Sequence, residues 1–211
     1  MHRNFPQPDL TRDSFRIVRH LLEVKQQPAW AVSACCANGG SLVYSQRQMD
    51  KGNRVNVTYR KARRSDIPMM AEIRAVDWGT EDYWRERITE YLACKLHPRD
   101  ALRPRVSFVC LEHQRMVGLI AGHLTRRFDC EGELEWISVR RECRGRGIAS
   151  ELICRLAKWF VAHQAHRVCV DVEPSNQAAR RLYSRHGAED LKPHWMIWKD
   201  IRSAAEGECD R

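Results

Sequence analysis

The apolar positions between residues 133 and 172 change their period twice. Glu133–Val139 reads as an apolar strand with carboxylates at its first and third positions. Apolar residues then recur at helical spacing, which predicts a helix from Gly147 to about His163, roughly 25 Å long. The valine-rich segment Arg167–Val172 predicts a second strand. A strand, a helix and a strand in this order predict a right-handed parallel unit.

A further helix begins after this second strand, where Asn176 has the residue type of an N-cap. Ala179, Leu182 and Tyr183 fall on one face of this helix, and Gly187 is placed to end it at the C′ position. We therefore expect the Tyr183 side chain on the side of the helix that faces the sheet, or at the margin of that side.

The rest of the chain predicts the remaining elements of one domain. They are a strand at Val55–Ala62, a helix from Ser65 or Asp66 to about Arg74, a helix capped by Thr80 that buries Trp84, Ile88, Tyr91 and Leu92, a hairpin of Arg105–Glu112 with Met116–Thr125, and a last strand at Trp195–Lys199. Residues 1–56 lack a comparable pattern and are expected to be an extension. Residues 57–201 form the predicted domain, and residues 202–211 are expected to be a polar tail that frays.

Composition restricts the class of protein. The chain has 211 residues, of which 43% are hydrophobic, and this is enough for one domain with a sizeable core. No apolar run approaches about 18 residues, and the start MHRNFPQPDL lacks the apolar segment of a secretory signal, so we expect neither a membrane span nor secretion. Nine cysteines without a CxxC pair predict neither a zinc site nor a disulfide framework, and they fit a reducing cytoplasm.

The net charge of +9 permits attraction to nucleic acid. However, the basic residues form no stripe interleaved with aromatic residues, so we expect no specific nucleic-acid binding. Four arginines cluster instead around a turn that contains two glycines, at Arg140, Arg141, Arg144 and Arg146.

The turn Arg144–Ala149 has the features of a phosphate-binding loop. It opens a helix, whose first turn offers unpaired N–H groups and the positive end of the helix dipole. Gly145 and Gly147 lack a Cβ atom, so an anion can approach the backbone closely. The turn is neither a nucleotide P-loop, because the G-K-[ST] ending is absent, nor a GxGxxG pattern, because Ala149 and Ser150 follow Gly147. On the turn alone, a glycine-softened helix start beside solvated arginines is an equal alternative.

Two motifs in register resemble those of the GNAT superfamily of acetyl-CoA-dependent acetyltransferases. The family's two elements, Q/R-x-x-G-x-G/A and N-x-x-A-x-x-L-Y-x-x-x-G, are matched by Arg144, Gly147 and Ala149 and by Asn176, Ala179, Leu182, Tyr183 and Gly187. The resemblance covers about residues 57–201. It implies an α/β layered fold, in which a mixed, mostly antiparallel sheet has a central parallel, splayed strand pair and helices on both faces.

The resemblance also implies where acetyl-CoA binds as co-substrate. The pantetheine is expected along the main chain near the end of the first strand, and the pyrophosphate on the glycine turn. The residues expected to bind acetyl-CoA are Ile137, Ser138, Val139, Arg144, Gly145, Arg146, Gly147, Ile148, Ala149, Asn176, Ala179 and Tyr183. No metal ion is expected.

Acetyl transfer to an amine requires a neutral amine and a stabilised leaving thiolate. A lysine-like amine with a pKa of about 10.4 costs roughly 4 to 5 kcal/mol to deprotonate at pH 7, so we expect a base. Glu133 ranks first, because the resemblance places the base of histone acetyltransferases at its position. Asp171 ranks second, where ribosomal-protein N-terminal acetyltransferases have a glutamate, and Glu135 ranks third. The alternatives are a structural role for each carboxylate and a base that acts through water.

Tyr183 matches the family's general acid. Transfer of a tyrosine proton with a pKa near 10 to a thiolate with a pKa near 8.5 is uphill by about 2 kcal/mol. A hydrogen bond from the hydroxyl to the developing thiolate is therefore the more economical description. The alternative is an aromatic side chain that only packs on the sheet.

The acceptor is expected at a mouth formed by the loop Trp78–Asp82, the start of the Glu133 strand and the loop near His194. Acidic residues would make this mouth suit a cationic amine, and they are Glu81, Asp82, Asp129, Glu131 and Glu133. The predicted acceptor contacts are Glu81, Asp82 and Glu135, while His123 is a further polar candidate. Trp136, on the opposite face of its strand, is expected in the core.

The sequence therefore predicts an N-acetyltransferase that acts by direct attack in a ternary complex. The acceptor is a primary amine of a small molecule or of a protein, and the enzyme is expected to be a monomer or homodimer. A sensor or interaction domain that binds acyl-CoA without turnover is the alternative from another class.

Overall fold

The computed structural model describes residues 57–95 and 101–206, which form a seven-stranded sheet with helices on both faces. The strands are β1 Val57–Lys61, β2 Ala101–Glu112, β3 Arg115–Thr125, β4 Gly132–Val139, β5 Val168–Asp171, β6 Glu189–Lys192 and β7 Trp195–Trp198. The helices are α1 Ile67–Ala75, α2 Glu81–Leu92, α3 Ile148–Ala162, α4 Gln177–Arg185 and α5 Arg202–Ala205. None of the helices within the described ranges has the length and apolar character needed to cross a membrane.

The sheet has the strand order β1-β2-β3-β4-β5-β7-β6. β4 and β5 are parallel, and the other neighbouring strands of this sheet are antiparallel. α3 connects the parallel pair, because two parallel strands need a crossover between opposite ends of the sheet. The mixed, layered architecture that the sequence predicted is confirmed, apart from two short elements near the C-terminus.

Each face of the sheet buries its own apolar core, which removes apolar surface from water. On one face α1 and α2 pack against β2, β3 and β4, and Trp84, Ile88 and Tyr91 are buried there as predicted. α3 covers the other face, and its predicted apolar positions are all buried: Ile148, Leu152, Ile153, Leu156, Trp159 and Phe160. The side chain of Tyr183 from α4 belongs to this second core.

A gap opens at the centre of the sheet because β4 and β5 stay paired only briefly. Their register begins at Gly132 opposite Val168 and ends at Leu134 opposite Val170. β4 continues to Val139 and remains paired with β3 on its other side. Within the described part of the chain, the main-chain groups of residues 135–139 that point away from β3 therefore have no strand partner. This is the splayed parallel pair that the resemblance implied.

A β-bulge lies where the gap begins. The register between β3 and β4 skips Glu135, which is an extra residue on β4. Trp136 consequently turns toward α2, with its ring 5.7 Å from that of Trp84 and 4.7 Å from that of Tyr91. The prediction that Trp136 lies in the core is confirmed. The prediction that it lies on the face opposite Glu135 is wrong, because strict alternation of side chains is interrupted at a bulge.

Two short elements near the C-terminus were missed by the sequence prediction. β6, with the sequence EDLK, is an edge strand whose mostly exposed residues show no apolar face. α5 occupies part of the segment that was expected to be a polar tail, and Ala204 is fully buried in it. Ordered structure therefore continues past Ile201, while residues 207–211 lie outside the described ranges.

Two details of the predicted elements need comment. β2 begins at Ala101 and not at Arg105, with an irregularity in its register between these two residues. Asp66 occupies the N-cap position of α1, as predicted, but its side chain makes no capping hydrogen bond there, because its carboxylate accepts hydrogen bonds from the Arg60 guanidinium at 2.6 and 2.8 Å. The predicted extension, residues 1–56, falls outside the described residues.

Candidate active site

The glycine turn has the backbone geometry that its sequence predicted. Gly145 and Gly147 have φ angles of +77° and +80°, in the left-handed region that favours glycine. A Cβ atom added at either position would meet no heavy atom within 4 Å, so the space in front of the turn is open. Glu151 N donates to Gly147 O over 3.0 Å, and the preceding N–H groups of α3 have no helical acceptor. These features fit a pyrophosphate group.

The arginines around the turn are largely engaged with the protein itself. Arg146 donates to Glu112 at 2.5 Å, and Arg140 is paired with a glutamate of α1 at 2.7 Å. Arg144 Nε donates to the carbonyl oxygen of Val139 at 3.1 Å, which ties the turn to the end of β4. A phosphate group at the turn would therefore rely mainly on backbone N–H groups.

The unpaired edge of β4 contains three of the residues predicted to bind acetyl-CoA. Ile137 and Val139 are partly buried against α3, and Ser138 points to the other face of the sheet. Ser138 Oγ accepts a hydrogen bond from Arg74 Nη1 at 2.9 Å and lies 3.5 Å from Asp77 Oδ2. The main chain of these residues, not their side chains, lines the gap.

α4 begins and ends as predicted. Asn176 Oδ1 accepts a hydrogen bond from the Ala179 N–H at 3.1 Å, so Asn176 is the N-cap. Gly187 follows the helix with a φ of +88°, and a Cβ atom there would lie 2.8 Å from Ser203 Oγ. The helix is therefore held at both ends by the residues of the predicted motif.

Tyr183 lies on the inner face of α4, as expected, with 4% of its surface exposed and its ring 5.6 Å from that of Trp198. Burial raises the pKa of Tyr183 well above its usual range, while the charge of Arg74 opposes this shift and that of Asp171 adds to it. Arg74 comes from the opposite face of the sheet.

Glu133 is almost fully buried and surrounded by donors. Its Oε2 accepts hydrogen bonds from Arg127 Nε at 3.0 Å and from Thr125 Oγ1 at 3.3 Å, and His123 Nε2 lies 3.6 Å away. Burial by itself raises the pKa of Glu133, but His123 and Arg127 outweigh this effect and hold the pKa below its usual range. A carboxylate in these surroundings is a poor proton acceptor.

Glu135 and Asp171 have the opposite character. Burial raises the pKa of Glu135, and the nearby charge of Glu133 adds to the shift against the opposing charges of His123 and Arg87. Asp171 reaches solvent at the end of β5, yet the protein around it displaces enough water to raise its pKa as well. Raised pKa values bring both carboxylates closer to the range of a general base.

His123 joins the two glutamates of β4 and could, with them, be considered a metal site. The three side chains bring one ligand atom each to within 4.8 Å of one another. However, Glu133 contacts the Arg127 guanidinium at 3.0 Å, and Glu135 contacts that of Arg87 at 3.5 Å. His123 Nδ1 is also 3.1 Å from the Tyr91 hydroxyl. These contacts favour a charge network over metal coordination, because each guanidinium competes for the carboxylate oxygens.

The predicted acidic mouth is not assembled as the sequence suggested. Glu81 and Asp82 lie on the exposed side of α2, where both contact Arg85, at 3.8 and 3.1 Å. Glu131 accepts hydrogen bonds from two backbone N–H groups that precede β5. Most of these acidic side chains are thus engaged with the protein itself, so they leave less unpaired negative charge at the mouth than the sequence suggested.

Two arginines that the sequence analysis overlooked lie beside the gap instead. Arg74 stacks over the Trp84 ring at 4.3 Å, and Arg87 lies over the Trp136 ring at 5.8 Å. They belong to α1 and α2, which contain neither of the two family motifs, so nothing in the sequence pattern indicated that these arginines lie near the site. Only the packing of these helices on β4 brings them to the site.

The comparison with protein families agrees with this geometry. A model of the acetyltransferase (GNAT) family matches residues 68–188, which is more than half of the chain. The chain therefore belongs to the GNAT acetyltransferase family, and the resemblance that its two motifs suggested is confirmed.

Individual relatives are more distant. The chain is 33% identical over 87 residues to an N-alpha-acetyltransferase (MAK3) of Arabidopsis thaliana, covering 41% of this chain and 46% of the relative. It is 31% identical over 93 residues to an uncharacterized N-acetyltransferase of Methanocaldococcus jannaschii, covering 44% and 58%. The chain thus spans about half the length of these curated relatives. An N-acetyltransferase structure from Staphylococcus aureus Mu50 has a TM-score of 0.53 at 19% identity, covering 67% of this chain and 94% of that one, which shows the shared fold.

Proposed function

We propose that the protein is an acetyl-CoA-dependent N-acetyltransferase that moves an acetyl group to a primary amine by direct attack in a ternary complex. The observation that carries this proposal is the gap between β4 and β5. The open glycine turn follows the far end of β4, Glu135 and Asp171 come directly after the last paired residues of β4 and β5, and Tyr183 is proposed to reach the gap from the inner face of α4. Membership of the GNAT family supports the same activity.

The residues of the gap fit acetyl-CoA as the co-substrate. The N–H groups of Gly147, Ile148 and Ala149 would hold the pyrophosphate, and the main-chain groups of residues 137–139 that have no strand partner would bind the pantetheine. When bound, acetyl-CoA supplies the thioester whose acetyl group is transferred. Arg144 and Asn176 would act indirectly, because their side chains hold the turn and the start of α4.

We assign the role of base first to Glu135, with Asp171 as the second candidate. Both carboxylates have raised pKa values, and Glu135 lies at the bulge where the gap begins. Glu133, which ranked first from the sequence, is better suited to position His123 and to raise the pKa of Glu135 by its nearby charge. The base removes a proton from the acceptor ammonium group before or during attack.

Tyr183 is proposed to donate a hydrogen bond to the leaving thiolate. Its raised pKa makes complete transfer of its proton more uphill than for an ordinary tyrosine. A buried hydroxyl that keeps its proton is still an effective hydrogen-bond donor, and it would stabilise charge that appears only in the transition state.

The acceptor is proposed to be an α-amine, of a small molecule or of a protein N-terminus. The name of the Arabidopsis relative, an N-alpha-acetyltransferase, supports this choice. An α-amine with a pKa near 8 costs only about 1 kcal/mol to deprotonate at pH 7, so a partly buried carboxylate is sufficient as its base.

An acceptor screen tests the proposal. The full chain is incubated with acetyl-CoA and a panel of amino acids, polyamines, aminoglycosides and short peptides, and mass spectrometry detects a mass increase of one acetyl group. Transfer to at least one amine supports the proposal. Binding of acetyl-CoA in isothermal titration without transfer to any member would support a sensor domain instead.

A further inference from the structure

Arg74 and Arg87 lie side by side along the unpaired stretch of β4. Arg87 Nη2 is 3.5 Å from Glu135 at the bulge, and Arg74 Nη1 is 2.9 Å from Ser138 three residues further along the strand. Each guanidinium also covers a buried tryptophan ring. Contacts with these aromatic rings thus hold both cations in place on the face of the sheet that α1 and α2 cover.

Both guanidinium groups have unused hydrogen-bonding capacity. An arginine has about five N–H donors. Within the described residues, Arg74 has one acceptor, Ser138, and Arg87 has one, Glu135, at the long distance of 3.5 Å. The Nε atoms of both arginines are buried without any hydrogen-bond partner. Buried donors without partners are unfavourable, and an anion that binds the same guanidinium groups would offset part of that cost.

The two carboxylates near this pair are shared with other groups or lie at a long distance. Asp77 lies near Arg74, but its carboxylate is shared with Ser138 Oγ at 3.5 Å and with the Arg144 guanidinium at 3.9 Å. Glu135 is the carboxylate that contacts Arg87, but its Oε1 atom lies 3.5 Å from Arg87 Nη2, which is longer than a strong hydrogen bond. An acceptor with a negative group would therefore meet attraction on this side of the gap and not repulsion.

We propose that Arg74 and Arg87 bind a carboxylate that the acceptor carries close to its reacting amine. This inference rests on the proposed acetyltransferase function and names the class of acceptor. Two sources have this chemistry: a free α-amino acid, through its own carboxylate, and a peptide whose first residue is aspartate or glutamate. In both, the carboxylate and the amine are only a few bonds apart, so an acceptor held by the arginines presents its amine beside Glu135.

Matched acceptors test the proposal on the full chain. One arm compares free amino acids with their α-carboxamides, and the other compares amidated peptides that begin with aspartate or glutamate with those that begin with asparagine or glutamine. Each pair differs by one negative charge at nearly constant shape, and kcat/KM is expressed per neutral amine, because removal of the α-carboxylate charge also lowers the pKa of the amine. We expect kcat/KM to favour the anionic member by at least about tenfold in one of the two arms, and the responding arm identifies the source.

Arginine variants then locate the effect. Arg74→Gln and Arg87→Gln are each expected to reduce the anionic preference by at least about fivefold, and the lysine variants are expected to retain part of it. Arg85→Gln is the matched control, because Arg85 lies on the same helix as Arg87 but pairs with Glu81 and Asp82 on its exposed side. The preference is a ratio within one variant, so a general loss of activity cancels. Titration with coenzyme A shows that each variant is folded.

The outcomes separate the two proposals. Acetyl transfer with equal rates for anionic and neutral acceptors in both arms, or a preference that persists in both glutamine variants, overturns the assignment of Arg74 and Arg87 and leaves the acetyltransferase function standing. Absence of transfer to every acceptor overturns both. An anionic preference that is lost in the two glutamine variants and kept in Arg85→Gln establishes the carboxylate site.

Discussion

Arg127 donates its Nε–H to the Oε2 atom of Glu133 over 3.0 Å, and this contact gives the two glutamates of β4 opposite electrostatic character. Together with His123 it holds the pKa of Glu133 below its usual range, whereas burial holds that of Glu135 above it. Two carboxylates on one strand face, two residues apart, therefore contribute differently to stability and to chemistry.

The first prediction is that Glu133→Gln lowers the stability of the protein at pH 7, whereas Glu135→Gln does not. The pKa of Glu133 is lower in the folded protein than in the unfolded chain, so its charge stabilises the fold at pH values above the unfolded pKa. This stability is lost as the pH falls through the folded pKa. Glu133→Gln should therefore lower the free energy of unfolding at pH 7 by about 1–3 kcal/mol. The pKa of Glu135 is higher in the folded protein than in the unfolded chain. Its ionisation therefore lowers the stability of the fold as the pH rises from the unfolded pKa toward the folded pKa. Glu135→Gln should therefore be neutral or stabilising.

Urea unfolding at pH 7 and at pH 4 measures both effects. The deficit of Glu133→Gln should shrink at pH 4, because this is below the ordinary carboxyl pKa of the unfolded chain, which then binds a proton that the folded state binds less readily. Equal destabilisation by the two variants at pH 7 would contradict the assigned environments.

The second prediction concerns the base. Glu135→Gln is expected to lower kcat/KM at pH 7 by about 100-fold for an amine with a pKa near 10, and by less for an α-amine. Higher pH should rescue the variant partly, because solvent then supplies the neutral amine. In the wild type, activity should fall at low pH through a carboxyl pKa above the usual 4.5. A pH–rate profile with Asp171→Asn alongside decides between the two candidates: full activity in Glu135→Gln transfers the role to Asp171.

The third prediction is that Tyr183→Phe lowers kcat by about 10- to 100-fold and leaves the affinity for acetyl-CoA nearly unchanged. The hydroxyl is proposed to interact with charge that develops in the transition state, and the remaining ring keeps its packing against Trp198. Steady-state kinetics and isothermal titration measure the two quantities. If turnover stayed at the wild-type level, the tyrosine would be structural.

The fourth prediction tests the glycine turn with an isosteric pair. Gly147→Glu and Gly147→Gln place side chains of the same size on a backbone with a φ of +80°, so they share the same strain. The glutamate adds a negative charge where the pyrophosphate is expected, and it should weaken coenzyme A binding at least about tenfold more than the glutamine does. Equal affinities of the two variants would place the phosphates elsewhere.

The fifth prediction concerns the start of β4. A Cβ atom at Gly132 would lie 2.5 Å from Phe160 Cε1, and the phenyl ring is 1% exposed and cannot move aside. Gly132→Ala should therefore destabilise by about 1–3 kcal/mol through overpacking. Phe160→Leu removes the obstacle, so the double variant should be more stable than the sum of the two single effects predicts. Additive effects in urea unfolding would argue against this contact.

Much of the parallel unit and its turns could be predicted from the sequence. α3, α4, β5 and the glycine turn appeared within about one residue of their predicted bounds, and Asn176 and Gly187 have the roles that their residue types suggested. These features depend on interactions between residues that are close in the chain, such as helical periodicity, capping hydrogen bonds and the freedom of glycine at positive φ. A local pattern is sufficient to specify them.

The assignment of charges around the gap was decided only by the tertiary structure. The hydrogen bond between Arg74 and Ser138 joins residues 64 positions apart, and that between Arg87 and Glu135 joins residues 48 positions apart. The bulge at Glu135 places the Trp136 side chain on the face of the sheet that α2 covers. Arg127 forms a hydrogen bond with Glu133, the carboxylate that was ranked first as base from the sequence. The sequence by itself determined which residue types stand on which element. Burial and the nearest opposite charge set the chemistry of each carboxylate, and both arise only when distant elements pack together.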